Sequence, residues 1–250
     1  MEYESIIYDK KDGVARITMN RPKVMNALTP ALVEEVKSAM LDAGNDDDVM
    51  VVVLTGAGRA FSAGVDLKAL GRRKLVGGRV GPILDDPGRE LIEIMQSMPK
   101  IVIAMVNGFC FTGAMEIMLA CDLVIASEDA KFGDTHARWG VRPSWGMSQR
   151  LPHTVGISKA RWMSFTADTI DGKEAEKIGL VNMAVPADKL EETTEALVKK
   201  LMTNSRSTLA AYKYLYNYGQ RLTFEDGLKL EFNSEFDIRD TEERIAQFRK

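Results

Sequence analysis

A single glutamate close behind a glycine-containing turn is the feature of this sequence best suited to chemistry. Glu116 follows Gly113 by three residues, at the start of a helix-like segment that comes after an apolar run of strand length, residues 101–106. The N–H of a residue that starts a helix can stay free to bind an anion, and a nearby carboxylate can act as a base. We therefore expect proton transfer beside an anion-stabilising site.

Small residues also follow an earlier strand. The segments 62–64 (Ser-Ala-Gly) and 112–114 (Thr-Gly-Ala) each come after a strand and before a helix-like segment. Small side chains let a ligand approach the backbone, and two N–H groups from different turns can converge on one oxygen. Two such donors aimed at a carbonyl oxygen would stabilise an enolate, although ordinary tight turns would show the same spacing.

The segment 60–64 also imitates the nucleophile elbow of a serine hydrolase, with alanine in place of the first glycine. That elbow requires a strand that delivers the serine directly into a sharp turn. Here the apolar run ends at Leu54, well before Ser62. The pattern therefore disfavours a hydrolase, in which Ser62 would be the nucleophile and His136 or His153 its base.

Composition indicates one large globular domain and argues against several kinds of partner. The chain has 250 residues, of which 45% are hydrophobic, and its formal net charge is -3. A sizeable core is therefore available, and no excess of charge favours a nucleic acid or an anionic membrane surface as a partner. The acidic N-terminal residues and the lack of an apolar run of membrane-spanning length predict a cytoplasmic protein.

Few residues are suited to metal or redox chemistry. Cys110 and Cys121 both lie in the apolar region around Glu116, which is typical of core packing in a reducing compartment rather than of a disulfide. The two histidines, His136 and His153, are too few for a zinc site. We therefore expect no metal.

Three apolar runs determine the expected fold class. Residues 49–54, 101–106 and 123–126 lack polar alternation, as in strands that are covered on both faces. Helix-like segments separate these runs, so right-handed crossovers should make the core a largely parallel α/β structure. The Asp-Gly pair at residues 12–13 predicts a hairpin before them, and the Thr-Pro pair at residues 29–30 predicts the start of a helix.

Two regions have the composition of loops. The glycine-punctuated segment 71–88, with basic side chains at positions 72, 73, 74 and 79, is either a solvated loop or a lid that faces phosphate. Residues 137–156 are also expected to be rich in loop. From residue 187 onward the pattern is helical, and apolar side chains such as Tyr212 and Phe232 form faces that the core or another subunit must cover. We expect a subunit interface there.

Several motifs then follow one another along the chain. They are residues 21–28 (RPKVMNAL), 58–67 (GRAFSAGVDL), 100–108 (KIVIAMVNG), 120–122 (ACD), 131–133 (KFG), 150–152 (RLP) and 175–181, together with Gly113 and Glu116. In this order they resemble the enoyl-CoA hydratase/isomerase (crotonase) superfamily over about residues 4–200.

The resemblance implies a spiral core of ββα units, residues 1–195, and a C-terminal helical region, residues 196–250, that assembles trimers, often paired into hexamers. It implies an acyl-coenzyme A thioester as the substrate and no separate cofactor. By position, the N–H groups of Ala63 and Gly113 would form the oxyanion hole for the thioester carbonyl. The residues that would border the coenzyme A ligand are Lys23, Val24, Met25, Ala63, Gly64, Val65, Asp66 and Gly113.

The sequence departs from the pattern of the family's hydratases at one catalytic position. Those enzymes use two glutamates, and Glu116 matches the first, which could orient and deprotonate water. The second would lie four residues after Phe132, where this chain has His136. An imidazole can exchange a proton at the α-carbon near neutral pH. Asp134 is a neighbouring candidate, for which a turn or helix-cap role is the simpler interpretation.

We therefore expect an acyl-CoA lyase, most simply an enoyl-CoA hydratase of fatty acid metabolism that converts 2-enoyl-CoA to 3-hydroxyacyl-CoA. Double-bond migration by an enoyl-CoA isomerase and hydrolysis of a β-diketone C–C bond are alternatives on the same scaffold. A non-catalytic acyl-CoA-binding protein is the alternative from a different class. Trp139 and Trp145 are either core anchors or walls of a narrow acyl pocket, so the sequence leaves the length of the acyl chain open.

Overall fold

Two sheets and the helices around them make up the fold. The computed structural model describes residues 3–69, 71 and 75–249. The strands are β1 (Ile6–Lys11), β2 (Val14–Met19), β3 (Val51–Gly56), β4 (Ala60–Ser62), β5 (Ile101–Val106), β6 (Phe109–Phe111), β7 (Leu123–Ser127), β8 (Lys131–Gly133), β9 (Ile170–Asp171) and β10 (Met183–Val185). The helices are α1 (Pro30–Asn45), α2 (Pro82–Ser97), α3 (Gly113–Met118), α4 (His136–Trp139), α5 (Met147–Val155), α6 (Ile157–Thr166), α7 (Gly172–Lys177), α8 (Leu190–Met202), α9 (Arg206–Gly219), α10 (Phe224–Asn233) and α11 (Thr241–Phe248).

Three successive ββα units build the core. In each unit the first strand, β3, β5 or β7, joins a six-stranded sheet of order β1-β2-β3-β5-β7-β10. The second strand, β4, β6 or β8, joins a four-stranded sheet of order β4-β6-β8-β9, and α2, α3 or α4 follows. The first strands pair with one another in parallel, and so do the second strands. The expected α/β spiral of ββα units is therefore confirmed.

The pairing of β4 with β6 brings the two small-residue turns together. Ala60 is aligned with Phe109, and Ser62 with Cys110, in a parallel register. Because parallel strands end at the same edge of their sheet, the turns that follow β4 and β6 are neighbours. The strands that precede them, β3 and β5, are buried on both faces, as their unbroken apolar sequences predict.

Local signals in the first part of the chain are also confirmed. The hairpin of β1 and β2 turns at Asp12 and Gly13, whose φ angles of 49° and 78° lie in the left-handed region that a two-residue hairpin turn requires. The Thr29 side chain accepts a hydrogen bond from the N–H of Leu32, with Pro30 in the first helical position of α1. This is the N-cap that the sequence predicts.

One predicted loop contains much of a helix. Within segment 71–88, residues 72–74 lie outside the described residues, and α2 already begins at Pro82. It continues through Pro87 and Gly88, so the loop prediction is wrong for residues 82–88. Leu84, Leu91 and Met95 are buried along this helix, and their burial outweighs the helix-breaking preference of proline and glycine.

The second predicted loop is likewise partly helical. Residues 137–156 include most of α4 and all of α5. Met147 and Leu151, spaced by one helical turn in α5, are buried in the main hydrophobic core. The segment between α4 and α5 lacks regular structure, and that part carries Trp145 into the core.

The C-terminal helices leave much apolar surface exposed. Phe224, Phe232 and Phe248 are 85%, 90% and 92% exposed. The predicted division after residue 195 lies inside α8, whose buried residues Leu190 and Val198 pack on the same face of the six-stranded sheet. That division stays a prediction. Across the described ranges, none of the helices combines the length and the apolar character needed to cross a bilayer.

Candidate active site

The turn after β4 is joined to residues 25–28 by backbone hydrogen bonds. The N–H of Ala63 donates to the carbonyl oxygen of Met25 at 2.9 Å. Further along, the N–H of Leu28 donates to Gly64 at 2.8 Å, and the N–H of Asp66 donates to Leu28 at 2.9 Å. Gly64 takes a φ of 84°, which favours glycine. These bonds leave the N–H of Val65 without an acceptor among the described residues.

The expectation that Ala63 supplies the free amide is therefore wrong. Its N–H is already satisfied by Met25, whereas the unpaired N–H belongs to Val65, two residues further along. In an extended segment, successive N–H groups point in opposite directions, so pairing with Leu28 on one side leaves Val65 facing the other. The sequence locates this turn correctly but does not indicate which of its successive N–H groups stays unpaired.

The turn after β6 presents the second free amide. Thr112 has φ 54° and ψ −115°, a conformation that is strained for a β-branched residue. Its N–H donates to Gly133 at 3.0 Å, and its hydroxyl lies 2.7 Å from that of Thr135. Gly113 then begins α3, and within the described part of the chain its N–H has no acceptor. The strained turn thus delivers an unpaired N–H at the N-terminus of a helix.

A cavity of about 240 Å³ lies beside these turns. It is lined by Ala63, Val65, Leu67, Val80, Phe111, Thr112, Glu116, Thr135, His136, Arg138, Trp139, Val141, Arg142, Ser144, Trp145 and Thr169. Most of the lining surface is apolar, and the polar residues include Glu116 and His136, which the sequence predicts to exchange protons. Such a combination is typical of a small-molecule site.

Glu116 is fixed by backbone amides at the start of α5 and just before it. Its Oε1 accepts hydrogen bonds from the N–H groups of Trp145 and Met147, at 2.9 Å and 3.0 Å. The side chain is 2% exposed, and burial raises the pKa of Glu116 against the opposing effects of those two amides and of His136. Because Oε1 is occupied, Oε2 is the oxygen available for proton transfer.

His136 lies opposite that oxygen. Its Nε2 is 3.6 Å from Oε2 of Glu116, and its Nδ1 is 2.6 Å from Oδ1 of Asp134. The other oxygen of Asp134 accepts a hydrogen bond from Ser164 at 2.6 Å. Burial raises the pKa of Asp134, but the hydrogen bonds from His136 and Ser164 outweigh it and hold that pKa below its usual value. The structure thus brings Glu116 and His136 together, as the sequence predicts.

The remaining predicted ligand contacts lie beside the cavity rather than in its wall. Lys23 and Val24 are exposed on a short 3-10 turn, and Met25 follows with the carbonyl that binds Ala63. Asp66 is 3.4 Å from the guanidinium of Arg21. These residues therefore form one rim next to the turn at residues 63–66.

The serine hydrolase alternative finds no support in this geometry. The hydroxyl of Ser62 is buried and accepts a hydrogen bond from the N–H of Gly64 at 3.2 Å. His136 contacts Asp134 and faces Glu116, and His153 is exposed on α5. Neither histidine hydrogen-bonds to Ser62 in the described structure, as a nucleophile and its base would require.

The two tryptophans differ in their surroundings. Trp145 is 3% exposed, and a methyl group added at Gly113 would lie 3.0 Å from its ring. On the other side, a methyl group at Gly88 would lie 2.2 Å from the ring. Trp145 is therefore a core anchor and a cavity wall at once, whereas Trp139, which is 61% exposed, lies at the rim.

Comparison with known proteins places the chain in a family. The family model described as Enoyl-CoA hydratase/isomerase matches residues 9–247. The chain belongs to the enoyl-CoA hydratase/isomerase family.

Individual relatives are similar over nearly the whole length. A probable peroxisomal enoyl-CoA hydratase of Arabidopsis thaliana is 37% identical over 91% of this chain and 84% of its own. A short-chain-enoyl-CoA hydratase of Clostridium acetobutylicum is 34% identical over 99% and 95%. The crystal structure of an enoyl-CoA hydratase from Bacillus anthracis superimposes with a TM-score of 0.86 at 32% identity, and covers 91% of this chain and 88% of its own.

Proposed function

We propose that this chain is an enoyl-CoA hydratase, which adds water across the double bond of a 2-enoyl-CoA to give a 3-hydroxyacyl-CoA. The observation that carries the proposal is the pair of unpaired amides, Val65 and Gly113, on neighbouring turns beside a cavity that contains Glu116. The names of the relatives support the same reaction.

In this mechanism the thioester oxygen accepts hydrogen bonds from the N–H groups of Val65 and Gly113. Attack at the β-carbon of the substrate moves negative charge onto that oxygen, so the two donors bind the enolate more strongly than the ground state. One such donor typically contributes about 10²- to 10³-fold to the rate. The N-terminus of α3 adds a favourable dipole at the same place.

Glu116 and His136 divide the two protons of the reaction. Oε2 of Glu116 takes a proton from water as the oxygen attacks the β-carbon, and Nε2 of protonated His136 gives a proton to the α-carbon. The added water is then complete, and the proton held by Glu116 passes to His136 to restore the starting state. The two atoms lie 3.6 Å apart, so a small side-chain movement brings them within hydrogen-bond reach for that return step.

Substrate binding and assembly are further parts of the proposal. The rim formed by Lys23, Val24, Met25 and Asp66, together with Gly64 in the adjoining turn, would border the coenzyme A moiety. In this proposal the thioester is the substrate and no separate cofactor takes part. A homotrimer, or a hexamer made of two trimers, is supported by the exposed aromatic side chains of α10 and α11. A cytoplasmic location stays a prediction, and so does the lack of nucleic acid and membrane partners.

Product masses test the reaction. The protein is incubated separately with crotonyl-CoA, with a 3-enoyl-CoA and with a β-diketone thioester. A gain of one water by crotonyl-CoA supports the hydratase. Conjugation of the 3-enoyl-CoA without a change of mass would instead identify an isomerase, and two fragments from the diketone would identify a C–C hydrolase.

A binding assay separates the enzyme from a non-catalytic member of the family. Glu116→Gln and His136→Ala should each lower kcat about 10³-fold while the affinity for coenzyme A stays within about twofold, because neither side chain borders that moiety. Equal traces of activity in the parent and in both variants would favour a protein that binds acyl-CoA without converting it.

A further inference from the structure

A buried chain of hydrogen bonds lies behind His136, on the side away from Glu116. Ser164 on α6 donates to Oδ2 of Asp134 at 2.6 Å, and Oδ1 of Asp134 lies 2.6 Å from Nδ1 of His136. The backbone N–H of His136 also donates to Oδ1, at 3.3 Å. Asp134 and His136 are 3% and 7% exposed, so water competes little for these bonds.

The two nitrogens of the imidazole are held very differently. Nδ1 is within hydrogen-bond distance of Asp134, whereas the 3.6 Å between Nε2 and Glu116 is too long for a direct hydrogen bond. The backbone N–H and the Ser164 hydroxyl each donate to the carboxylate of Asp134, which as an ionised group can only accept. The third partner, Nδ1, must then be a donor as well.

We propose that Asp134 is a positioning residue, supported by Ser164, that keeps the proton of neutral His136 on Nδ1 and so reserves Nε2 for proton exchange with the substrate. The assignment of a role to Nε2 rests on the function proposed above. The lowered pKa of Asp134 agrees with a carboxylate that stays ionised. The turn role expected for Asp134 is also present, through the backbone N–H, so the residue has both roles.

The arrangement explains how a histidine can work at this position. A free imidazole can carry its proton on either nitrogen and rotate about its side-chain bonds. A carboxylate bonded to Nδ1 selects one form, orients the ring and stabilises the charged imidazolium during transfer. Asp134 does not line the cavity beside Val65, so its effect on the substrate passes through His136.

Charged groups on several elements lie around the imidazole ring of His136. Glu116 on α3 and Asp134 on the preceding turn are the nearest. Arg138 and Arg142 line the cavity together with His136, and Arg161 on α6 lines the space on its other side.

The tautomer can be measured directly because the chain has two histidines. In the His153→Gln variant, the remaining imidazole signals in a heteronuclear NMR experiment come from His136. We expect Nδ1 to stay protonated throughout a pH titration while Nε2 alone gains and loses its proton. A neutral form with the proton on Nε2 would overturn the proposal, and this readout needs neither substrate nor activity. His153→Gln should leave turnover unchanged.

Kinetic measurements on two variants test whether the position of the His136 proton affects turnover. Asp134→Asn can donate its amide N–H to Nδ1, which would place the imidazole proton on Nε2. We expect kcat to fall about tenfold or more with little change in KM. The pH dependence of kcat should also shift. Ser164→Ala should shift the profile in the same direction by a smaller amount. An unchanged profile in both variants would overturn the positioning role.

The outcomes separate this inference from the proposed function. If Nδ1 carries the proton but no enoyl-CoA is hydrated, the tautomer assignment stands and the proposed function fails. If hydration occurs and the Asp134→Asn variant keeps both the tautomer and kcat, the proposed function stands and the inference fails. If the Asp134→Asn variant does not fold, the NMR titration of the His153→Gln protein and the pH dependence of kcat in Ser164→Ala still test whether Asp134 positions His136.

Discussion

Gly64 lies against the carbonyl oxygen of Phe111, so closely that a methyl group on Gly64 would be 2.7 Å from that oxygen. This contact joins the turn that carries the Val65 amide to the turn that carries the Gly113 amide. The convergence of the two donors therefore depends on a position where no side chain fits.

Gly64→Ala should damage both stability and activity. The new methyl group meets backbone rather than a flexible side chain, and the φ of 84° is unfavourable for alanine. We expect a loss of about 2 kcal/mol or more in the free energy of unfolding and a large drop in kcat/KM. Denaturant titration and steady-state kinetics measure the two effects.

Gly77→Ala is the matched control for that substitution. Gly77 also has a positive φ, of 59°, but a methyl group there would meet nothing within 4 Å. It should cost only the backbone strain, about 1 kcal/mol. Equal losses in the two variants would show that the contact with Phe111 has no energetic weight.

Replacement of single amides by esters distinguishes the roles of residues 63 and 65. An ester at position 65 removes an N–H that is unpaired in the described structure, so we expect kcat to fall about 10²-fold with the stability nearly unchanged. An ester at position 63 removes the bond to Met25 and should cost about 1 kcal/mol of stability instead. The reverse pattern would restore Ala63 as the oxyanion donor.

Glu116→Gln should lower activity and raise stability at neutral pH. The pKa of Glu116 is raised on folding from an ordinary value of 4.5, chiefly by burial. The folded state therefore binds this proton more tightly, and the stabilisation present at low pH is lost as the pH rises through the folded pKa. A neutral glutamine avoids that loss, while kcat should fall about 10³-fold.

Urea unfolding of the parent and the variant at about pH 4 and about pH 8 measures this effect. The stability difference in favour of Glu116→Gln should grow with pH. Glu93→Gln, at an exposed position of α2, is the control and should leave the free energy of unfolding nearly unchanged. A difference that shrinks as the pH rises would show that folding does not raise the pKa of Glu116.

Trp145→Ala should change which acyl chains are accepted. Its ring fills the space between Gly88 and Gly113, so its removal extends the cavity toward α2. We expect kcat/KM for longer 2-enoyl-CoA substrates to rise relative to crotonyl-CoA, at a cost of about 3–5 kcal/mol in stability. Trp139→Ala, at an exposed position, should cost much less. An unchanged chain-length preference would remove Trp145 as the limiting wall.

A largely buried ion pair ties the C-terminal helices to the spiral core. Nζ of Lys213 on α9 lies 2.7 Å from Oδ2 of Asp122 and donates to the carbonyl of Lys100 at 2.8 Å. Lys213→Met would leave the largely buried Asp122 carboxylate without its cation, so we expect a loss of up to about 3 kcal/mol in thermal or denaturant unfolding.

Two further variants check this interpretation. Adding Asp122→Asn to Lys213→Met should recover part of the loss, because no buried charge then remains. Lys189→Met breaks an exposed pair with Glu192 and should cost much less stability than Lys213→Met. A loss with Lys213→Met as small as that with Lys189→Met would show that the buried pair does not anchor α9.

The sequence by itself determined the features that depend on a few neighbouring residues. The turn at Asp12 and Gly13, the cap at Thr29 and the apolar strand of residues 101–106 all follow from local conformational preference or from an unbroken apolar run. The order of motifs also led to the correct family and to the facing pair of Glu116 and His136.

Tertiary structure decided the features that depend on contacts between distant segments. Residues 25–28 pair with the turn after β4 and thereby leave Val65, not Ala63, with the free amide. Ser164 reaches Asp134 from thirty residues away, and the burial of α2 holds Pro87 and Gly88 in a helix. A hydrogen bond or a packed face needs its partner to be in place, and the identity of that partner is not encoded in the residues next to it.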